Sequence, residues 1–436
     1  MSKLCHRLPP ARRESGACWL VGLHRLIPEG VPVRVRLLED GRPLGPPDSV
    51  HNDIRVLGGG RYSFWNRALY FSTPDGSDPH ANGRRYEIEV ELAEDGVFDL
   101  PRILHVNITD ACNLTCRMCR EHNLNRSTLD DSTLAHLIET VMPSLTECRI
   151  DSTGEAVLHR RKLEMMMAAA ARHGVKVFLS SNGTLIDAET ADLIAGAGCP
   201  VHIQVSLDSP VKETFEWIRR GARFEDAIAG IRNLVAARDR LAAGRLQVSL
   251  HPALFDWNVD QTELTVRLGR ELGVDYVVFQ FGYTLDFLDP GHSLFWNQAR
   301  HDRAIDAAER AGGEIGMVVE SWGRFSDPVK ANTEMEPCPY LQDWSFINAN
   351  GMVAPCCISS TFPLGDVREQ SFAGIWRGEA YSRLRETYDG PEPSNPKCSQ
   401  CYLRTGWDRG DFRQYFSPTH WPAVEARIAR GAEDGR

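Results

Sequence analysis

Three cysteines close together in the chain carry the clearest chemical signal. Cys112, Cys116 and Cys119 are spaced C-x3-C-x2-C, directly after an alternating apolar and polar run over residues 104–109. Three thiolates on one short loop can bind three irons of a [4Fe–4S] cluster, which leaves the fourth iron open to an outside ligand. The spacing therefore predicts an iron–sulfur site that binds a further molecule. The alternative is a zinc site, which needs a fourth cysteine or histidine, and His122 is near enough in sequence to supply it.

The triplet resembles the cluster loop of radical S-adenosylmethionine (SAM) enzymes. The resemblance implies that Cys112, Cys116 and Cys119 hold a [4Fe–4S] cluster, and that the open iron binds the amino and carboxylate groups of SAM. It also implies that reduced SAM breaks down to a 5′-deoxyadenosyl radical. The family often has an aromatic residue before the last cysteine, packed on adenine. Met118 stands there in this chain, and it offers packing without ring stacking.

Later segments resemble the same family in the same order. Residues 152–156 resemble its Gly-Gly-Glu-Pro segment, which implies that Glu155 accepts from the SAM amino group. Residues 180–184 resemble its Thr-Asn-Gly turn, and residues 218–224 resemble a stretch in which one arginine grips the SAM carboxylate, where we favour Arg220 over Arg219. Together these segments imply a set of SAM-binding residues: Met118, Gly154, Glu155, Asn182, Ser206, Asp208, Arg219 and Arg220.

Strand and helix patterns alternate through the middle of the chain. Strands are predicted at 103–109, 147–152, 175–181, 201–208, 246–252 and 276–282, with helices at 132–142, 161–173, 188–197, 224–240 and 260–272. Repeated βα units predict a parallel sheet with helices outside it. Six strands fit the partial (β/α)6 barrel of radical SAM enzymes better than a closed eight-stranded barrel. The predicted fold class is therefore α/β.

Several of these strands alternate between apolar and polar residues. Buried parallel strands are ordinarily apolar on both faces, so polar residues of one parity predict a barrel whose interior holds a polar ligand. The inward-facing candidates for substrate contact are His105, Asn107, Arg149, Asp151, His202, Gln204, Gln247, His251 and Gln280.

The two ends of the chain differ from this middle part. Residues 1–100 contain alternating runs and many turn residues, which predict a small, mostly β domain of unassigned role. Within it, the aromatic run 61–65 is either a recognition surface or the core of the domain. The predicted domains are 1–100, the barrel at 101–325, an auxiliary cluster domain at 326–410 and a tail at 411–436.

A second group of cysteines lies in the last third of the chain. Asn350-Gly351 is a tight-turn signal and predicts a β-hairpin just before Cys356 and Cys357. This part resembles the SPASM/twitch extension of radical SAM enzymes. The shorter, twitch arrangement implies one auxiliary [4Fe–4S] cluster on Cys338, Cys356, Cys398 and Cys401, with Cys357 as the rival of Cys356. A four-cysteine zinc site is the alternative.

The resemblance implies a radical SAM oxidoreductase. One four-cysteine auxiliary cluster has no free iron, which favours electron transfer and a two-electron oxidation of a sugar, polyol or aminocyclitol. The alternatives are a peptide maturase that forms a crosslink or thioether, a sugar epimerase, and a non-catalytic iron–sulfur or zinc binding module. The implied partners are a small-molecule or peptide substrate and a flavodoxin- or ferredoxin-type electron donor.

Composition limits the remaining classes of function. The chain has 436 residues and a formal net charge of −10, which argues against nucleic acid or an anionic membrane as the main partner. It has no apolar run long enough to span a bilayer and no secretory signal. Twelve cysteines without such a signal predict a reducing cytoplasm, with metal ligands rather than disulfides.

Overall fold

The computed structural model describes residues 3–433 except 25, 28–32, 50, 66, 93–98, 120–125, 151–152, 243–244, 328–337, 358–361, 389, 402–403 and 405–407. His122, named above as a possible zinc ligand, and Asp151, named as a candidate substrate contact, lie outside the described residues. The chain divides into two compact units. One comprises Met1–Ile103, Ser144–Thr146 and Gln342–Trp344, and the other comprises the rest of the chain.

The first unit is mostly β, as the alternating runs predicted. Its elements are β1 (Lys3–Arg7), β2 (Arg12–Ser15), β3 (Cys18–Gly22), β4 (Val33–Glu39), β5 (Arg42–Pro43), α1 (His51–Val56), β6 (Tyr62–Trp65), β7 (Ala68–Phe71) and β8 (Tyr86–Leu92). They form two antiparallel four-stranded sheets with the orders β1-β8-β4-β5 and β2-β3-β7-β6.

The aromatic run of this unit is divided between its core and its surface. Tyr62 is buried beside Phe71 and Leu37, because it lies on the inner face of β6. Trp65 lies at the end of the same strand and is 57% exposed. The interpretation as core is therefore correct for Tyr62 and wrong for Trp65.

The second unit is organised around one large sheet. Its strands are β9 (Ile103–Val106), β10 (Glu147–Ile150), β11 (Lys176–Ser181), β12 (Val201–Val205), β13 (Leu246–Leu250), β14 (Ala253–Leu254), β15 (Tyr276–Phe281) and β16 (Val318–Ser321). The order β9-β10-β11-β12-β13-β15-β16 contains all six predicted strands. The sequence analysis missed β16, a four-residue, half-buried strand with little periodic pattern. Among the described residues, no pairing closes this sheet into a ring.

Helices connect the strands of the sheet, and all five predicted helices are present. The helices are α2 (Asp131–Thr140), α3 (Arg160–His173), α4 (Ala188–Ala195), α5 (Lys212–Ile218), α6 (Phe224–Ala237), α7 (Thr262–Leu272) and α8 (Gln298–Ile315). Asp130 and Asp187 begin α2 and α4 by accepting from the backbone N–H groups of Thr133 and Thr190. None of the described helices is long and apolar enough to cross a membrane.

The C-terminal part adds a predicted hairpin to the same sheet. Its elements are α9 (Pro339–Gln342), β17 (Trp344–Ile347), β18 (Met352–Ala354), β19 (Gly365–Asp366), α10 (Phe372–Trp376), α11 (Glu379–Thr387) and α12 (Trp421–Glu433). The turn between β17 and β18 contains Gly351 at a φ of 81°, a conformation that glycine adopts without strain. Because β17 lies beside β9, the hairpin extends the sheet from its first strand.

Candidate active site

The three cysteines of the C-x3-C-x2-C motif lie together on the loop after β9. Cys116 is buried, and Cys112 and Cys119 are partly exposed. Burial raises the pKa of the Cys116 thiol to about 11, and charge on Cys119 and Cys112 raises it further, so the three sulfurs are near one another. No three His, Cys, Asp or Glu side chains of the described residues approach closely enough to hold a single metal ion.

The start of this loop is fixed by the backbone that follows β10. Gly154 N donates to Thr109 O at 3.1 Å, and Glu155 N donates to Ala111 O at 2.8 Å. A Cβ atom on Gly154 would lie 2.2 Å from Ala111 O and 2.6 Å from Thr109 O. Glycine is therefore required here because two backbone segments meet without room for a side chain.

Gly154→Ala is expected to displace the cluster loop and lower the iron content by about four irons, one cubane. The auxiliary site should keep its iron, because it lies on a different part of the chain. Gly313→Ala is the matched control, since a Cβ atom there meets nothing within 4 Å. Iron analysis of both purified, reconstituted variants checks this result, and full iron content in Gly154→Ala would contradict it.

Asn107, one of the predicted substrate contacts, makes hydrogen bonds beside the cluster loop. Its side chain is fully buried, and its Nδ2 donates to Asp110 Oδ1 at 2.7 Å and to Thr153 Oγ1 at 2.8 Å. Thr153 Oγ1 also donates to Asp110 Oδ1 at 2.6 Å. This triangle ties β9 to the loop before the cysteines and to the segment before Gly154. Asn107 Nδ2 therefore positions the cluster loop, while its Oδ1 is buried without a partner among the described residues, and its contact with substrate stays a prediction.

Glu155 is a buried carboxylate that accepts from three donors, and its contact with the SAM amino group stays a prediction. It is 2% exposed, and its carboxylate accepts from Asn182 N at 2.7 Å, Ser181 Oγ at 2.9 Å and Val157 N at 3.4 Å. Burial raises the pKa of Glu155, and these donors oppose the rise. Asn182 Nδ2 in turn lies 3.9 Å from Cys112 Sγ. Glu155 therefore stabilises the turn that carries Asn182, and the Asn182 side chain reaches Cys112 on the cluster loop.

A buried ion pair supports the other side of the loop. Arg219 Nε donates to Asp208 Oδ2 at 2.7 Å, and Arg219 Nη1 lies 3.9 Å from Cys116 Sγ. Asp208 Oδ1 accepts from Ala253 N at 2.9 Å, so both oxygens of that carboxylate are engaged. Arg220 is exposed. The preference for Arg220 over Arg219 is therefore reversed: Arg219 faces the cluster site, and Asp208 orients it.

The two remaining predicted SAM contacts lie at positions consistent with such a role. Ser206 directly follows β12 and is half-buried, and its backbone N–H donates to Ser181 O at 3.0 Å. Met118 is half-buried on the cluster loop itself. Both stay predictions, as does their contact with ribose, carboxylate or adenine.

Five polar side chains form a connected network inside the sheet. Ser249 Oγ lies 2.8 Å from His202 Nε2 and 2.9 Å from His251 Nε2. The Tyr276 hydroxyl lies 2.8 Å from His202 Nε2, and Gln280 Nε2 lies 3.1 Å from His251 Nδ1. The network runs from the first residue of β15 to the carboxyl ends of β13 and β15, the edge at which open α/β sheets bind ligands. We call these residues the lumen network.

The lumen network should make folding stability sensitive to acid. Burial lowers the pKa of His251 from 6.5 to about 4 and that of His202 well below 6.5, and the nearby cations add to both shifts. Between these pKa values, the two histidines therefore bind protons in the unfolded chain but not in the folded chain. We expect stability to fall as pH decreases from about 6.5 towards 4, by on the order of 3 kcal/mol for His251.

Chemical denaturation between pH 7 and pH 4.5 measures this loss. His251→Gln should reduce the slope, whereas His173→Gln, at an exposed helix end, should not. An unchanged slope in His251→Gln would contradict the assignment of a buried neutral imidazole.

Most of the other predicted substrate contacts interact with nearby side chains of the protein. Arg149 Nη1 lies 3.0 Å from Glu147 Oε1, with the guanidinium 3.8 Å from the centre of the Phe178 ring. His105 contacts Phe346 edge to face at 4.6 Å. Gln204 donates to Ser180 Oγ, and Gln247 Nε2 is buried without a partner among the described residues.

The C-terminal cysteines also lie near one another. Charge on Cys356 and Cys401 adds to the burial that raises the pKa of Cys338 to about 11. Charge on Cys356, Cys338 and Cys401 adds in the same way to the burial that raises the pKa of Cys398 to about 12. Cys356 is half-buried and Cys357 is exposed. These four thiols lie near one another, and Cys356 stays the predicted cluster ligand of the Cys356–Cys357 pair.

An open parallel sheet, a three-cysteine loop at its edge and a separate four-cysteine site define an iron–sulfur protein of the partial-barrel class. The family model of the radical SAM superfamily matches residues 106–269, and that of the SPASM iron–sulfur cluster-binding domain matches residues 338–402. The chain therefore carries a radical SAM domain and, C-terminal to it, a SPASM domain. These two domains imply a SAM-binding [4Fe–4S] cluster and auxiliary iron–sulfur binding.

The proteins to which this chain is similar differ in the activities that their names state. An AdoMet-dependent heme synthase of Methanosarcina barkeri is 25% identical over 331 residues, which cover 69% of this chain and 88% of that protein. The mycofactocin maturase MftC of Mycobacterium ulcerans is 30% identical over 152 residues, 34% of this chain and 40% of that protein. The structure of Streptococcus suis SuiB bound to its precursor peptide SuiA is similar in fold, with a TM-score of 0.54, 14% identity and 73% of each chain covered.

The sequence analysis missed two members of the lumen network, Ser249 and Tyr276, as candidate site residues. Both share the inward parity of neighbours that were chosen: Ser249 that of Gln247 and His251, and Tyr276 that of Gln280. Strict use of strand parity would have identified them. Their hydrogen bonds to the histidines depend on the register between strands, which pairs Ser249 with Tyr276.

Proposed function

We propose that this protein is a radical SAM oxidoreductase that removes two electrons from a hydroxyl-bearing substrate, such as a sugar, polyol or aminocyclitol. Cys112, Cys116 and Cys119 would hold the first [4Fe–4S] cluster, and Cys338, Cys356, Cys398 and Cys401 the auxiliary one. When bound, the first cluster and SAM supply a radical that removes a hydrogen atom from an unactivated carbon, and the auxiliary cluster takes up one electron. The protein residues must then place the substrate and accept a proton.

The lumen network is the observation that carries this proposal. Its side chains are neutral donors and acceptors, because burial keeps both His202 and His251 unprotonated. Neutral hydrogen-bonding groups suit hydroxyl groups, and a substrate hydroxyl that becomes a carbonyl must lose its proton. His251 is the group best placed to take that proton. Its Nε2 is held by Ser249, and its Nδ1 accepts from Gln280, so Nδ1 is the unprotonated nitrogen.

The position of His251 supports the same role. It directly follows β13, and its backbone N–H donates to Val205 O at 2.9 Å. Two residues later, Ala253 N donates to Asp208, which holds Arg219 beside Cys116. The candidate base is therefore linked through three contacts to the cluster loop, and a base oriented by a further group is a recurring arrangement in enzymes.

A panel of potential substrates tests the proposal. The reconstituted holoenzyme is reduced with SAM and offered polyols, sugars, aminocyclitols, a heme precursor and short peptides in separate reactions. The expected result is that a polyhydroxylated compound raises 5′-deoxyadenosine formation and yields a product two hydrogens lighter that reacts with hydroxylamine. Deuterium at the oxidised carbon should appear in 5′-deoxyadenosine. The proposal would be overturned if the heme precursor or the peptides raised 5′-deoxyadenosine formation and no polyol, sugar or aminocyclitol did.

Peptide maturation is the second candidate function. It is favoured by the similarity to a mycofactocin maturase and by the fold shared with SuiB, which was solved with a precursor peptide. A peptide that gains a crosslink also loses two hydrogens, but it forms no carbonyl and does not react with hydroxylamine. The same panel therefore separates the two candidates.

A further inference from the structure

A pair of arginines and a tryptophan lie on the outer side of the cluster loop. We call Arg117, Trp217 and Arg220 the loop patch. The Arg117 guanidinium lies 4.0 Å from the centre of the Trp217 ring, and its Nε donates to Trp217 O at 2.8 Å. Trp217 is 42% exposed, and Arg220 is exposed as well. Cation–π contact holds the arginine flat on the indole and leaves its charge at the surface.

The backbone explains why these side chains share one side. Arg117 N donates to Ile218 O at 2.8 Å, and Thr115 N donates to Arg220 O at 2.9 Å. Residues 115–117 thus run alongside 218–220, and neighbouring residues of such a pairing face opposite sides. Cys116 and Arg219 face inward, with Arg219 Nη1 3.9 Å from Cys116 Sγ.

The loop patch carries positive charge on an acidic protein. Neither Arg117 nor Arg220 forms an ion pair with any residue in the described part of the chain. Burial and the nearby Arg220 lower the pKa of Arg117, as expected of two close cations. Glu213, one turn before Trp217 on α5, is an exposed carboxylate beside the patch. The whole chain has a formal net charge of −10, so a local excess of two cations over one anion departs from the general sign of the protein.

We propose that the loop patch is the docking surface for an acidic one-electron carrier protein that reduces the first cluster. This inference rests on the proposed function, because SAM cleavage consumes an electron from outside. The step transfers one electron from the carrier to the cluster and makes or breaks no bond. A carrier bound at Arg117 would contact the residue that directly follows Cys116, a proposed ligand of the first cluster. Exposed tryptophan and arginine are the residue types that dominate binding at protein interfaces.

Charge complementarity decides the kind of partner. Carboxylates of the carrier would pair with the guanidinium groups of Arg117 and Arg220. The positive potential of the patch would steer the carrier towards it, against the repulsion from the net negative charge of the whole protein. Such steering increases the association rate. It weakens as salt is added, because at 0.1 M salt the charges are screened beyond a distance of about 10 Å.

Stopped-flow reduction of the holoenzyme tests the proposal. The reductants are a reduced bacterial flavodoxin, which is acidic, and photoreduced deazariboflavin, which is small and uncharged. Arg220→Glu alone and with Arg117→Glu should slow reduction by flavodoxin about tenfold at low salt and should remove its salt dependence. Glu213→Lys should speed it. Reduction by deazariboflavin, and the SAM cleavage that follows, should be unchanged in Arg220→Glu and in Glu213→Lys.

The outcomes separate the two proposals. Equal flavodoxin rates in wild type, Arg220→Glu and Glu213→Lys would overturn the docking surface. If deazariboflavin reduces the wild-type cluster but no SAM is cleaved, the proposed function fails instead. If the double variant also loses reduction by deazariboflavin, its loop is disturbed, and the two single variants decide the result.

Discussion

Replacement of Cys112, Cys116 and Cys119 together by alanine is expected to remove one cluster and all cleavage of SAM. Two [4Fe–4S] clusters give about eight irons per chain, and the triple variant should keep about four. The remaining irons should belong to the C-terminal site, whose cysteines lie elsewhere in the chain. Formation of 5′-deoxyadenosine should fall below detection, because the thiols beside Arg219 and Asn182 are removed.

Iron analysis, optical spectra and chromatography of the reaction mixture measure these effects. The quadruple variant of Cys338, Cys356, Cys398 and Cys401 is the matched control: it should also keep about four irons but still cleave SAM without forming product. If the triple variant still makes 5′-deoxyadenosine after reduction, the assignment of the cluster loop is wrong.

Replacement of Cys356 and replacement of Cys357, its neighbour in the sequence, should have different effects on iron content. Cys356→Ala is expected to lower the iron content by about four irons, one cubane. It should stop substrate turnover while uncoupled SAM cleavage continues. The reason is that charge on Cys356 acts on both Cys338 and Cys398, so its sulfur lies with theirs. Cys357→Ala, at an exposed position, should leave the iron content unchanged.

Two other outcomes would change this account. If Cys357→Ala abolishes product and leaves the iron intact, Cys357 donates a hydrogen atom, and epimerisation replaces oxidation. Solvent deuterium should then appear at one carbon of the product. If neither single variant loses iron, the two cysteines substitute for each other, and the assignment to Cys356 does not stand.

Local sequence patterns were sufficient for most of the fold. The apolar parity of Val201, Ile203 and Val205 marked β12, and those side chains are at most 3% exposed. The Asn350-Gly351 pair marked the hairpin of the C-terminal domain. Such signals are local because they reflect backbone geometry and burial within one element. β16 was missed because four half-buried residues carry no such period.

The details of the site depend on contacts that no local pattern contains. Motif resemblance implied a direct role for Glu155 toward SAM, and the structure adds that its carboxylate accepts from Asn182 N and Ser181 Oγ, 27 and 26 residues away in the chain. The choice between Arg219 and Arg220 depended on which side of one backbone pairing faces Cys116. The inward parity of Asn107 did not show that its Nδ2 donates to Asp110 and Thr153.

The central claim is that this chain reductively cleaves SAM at the loop of Cys112, Cys116 and Cys119. The most direct test incubates the anaerobically reconstituted wild-type protein with SAM and a one-electron reductant, and measures 5′-deoxyadenosine and methionine over time. The account predicts that both products form in equal amounts, only after reduction, and only with the first cluster in place. A protein that holds both clusters in reduced form, binds SAM and yet yields no 5′-deoxyadenosine would contradict it.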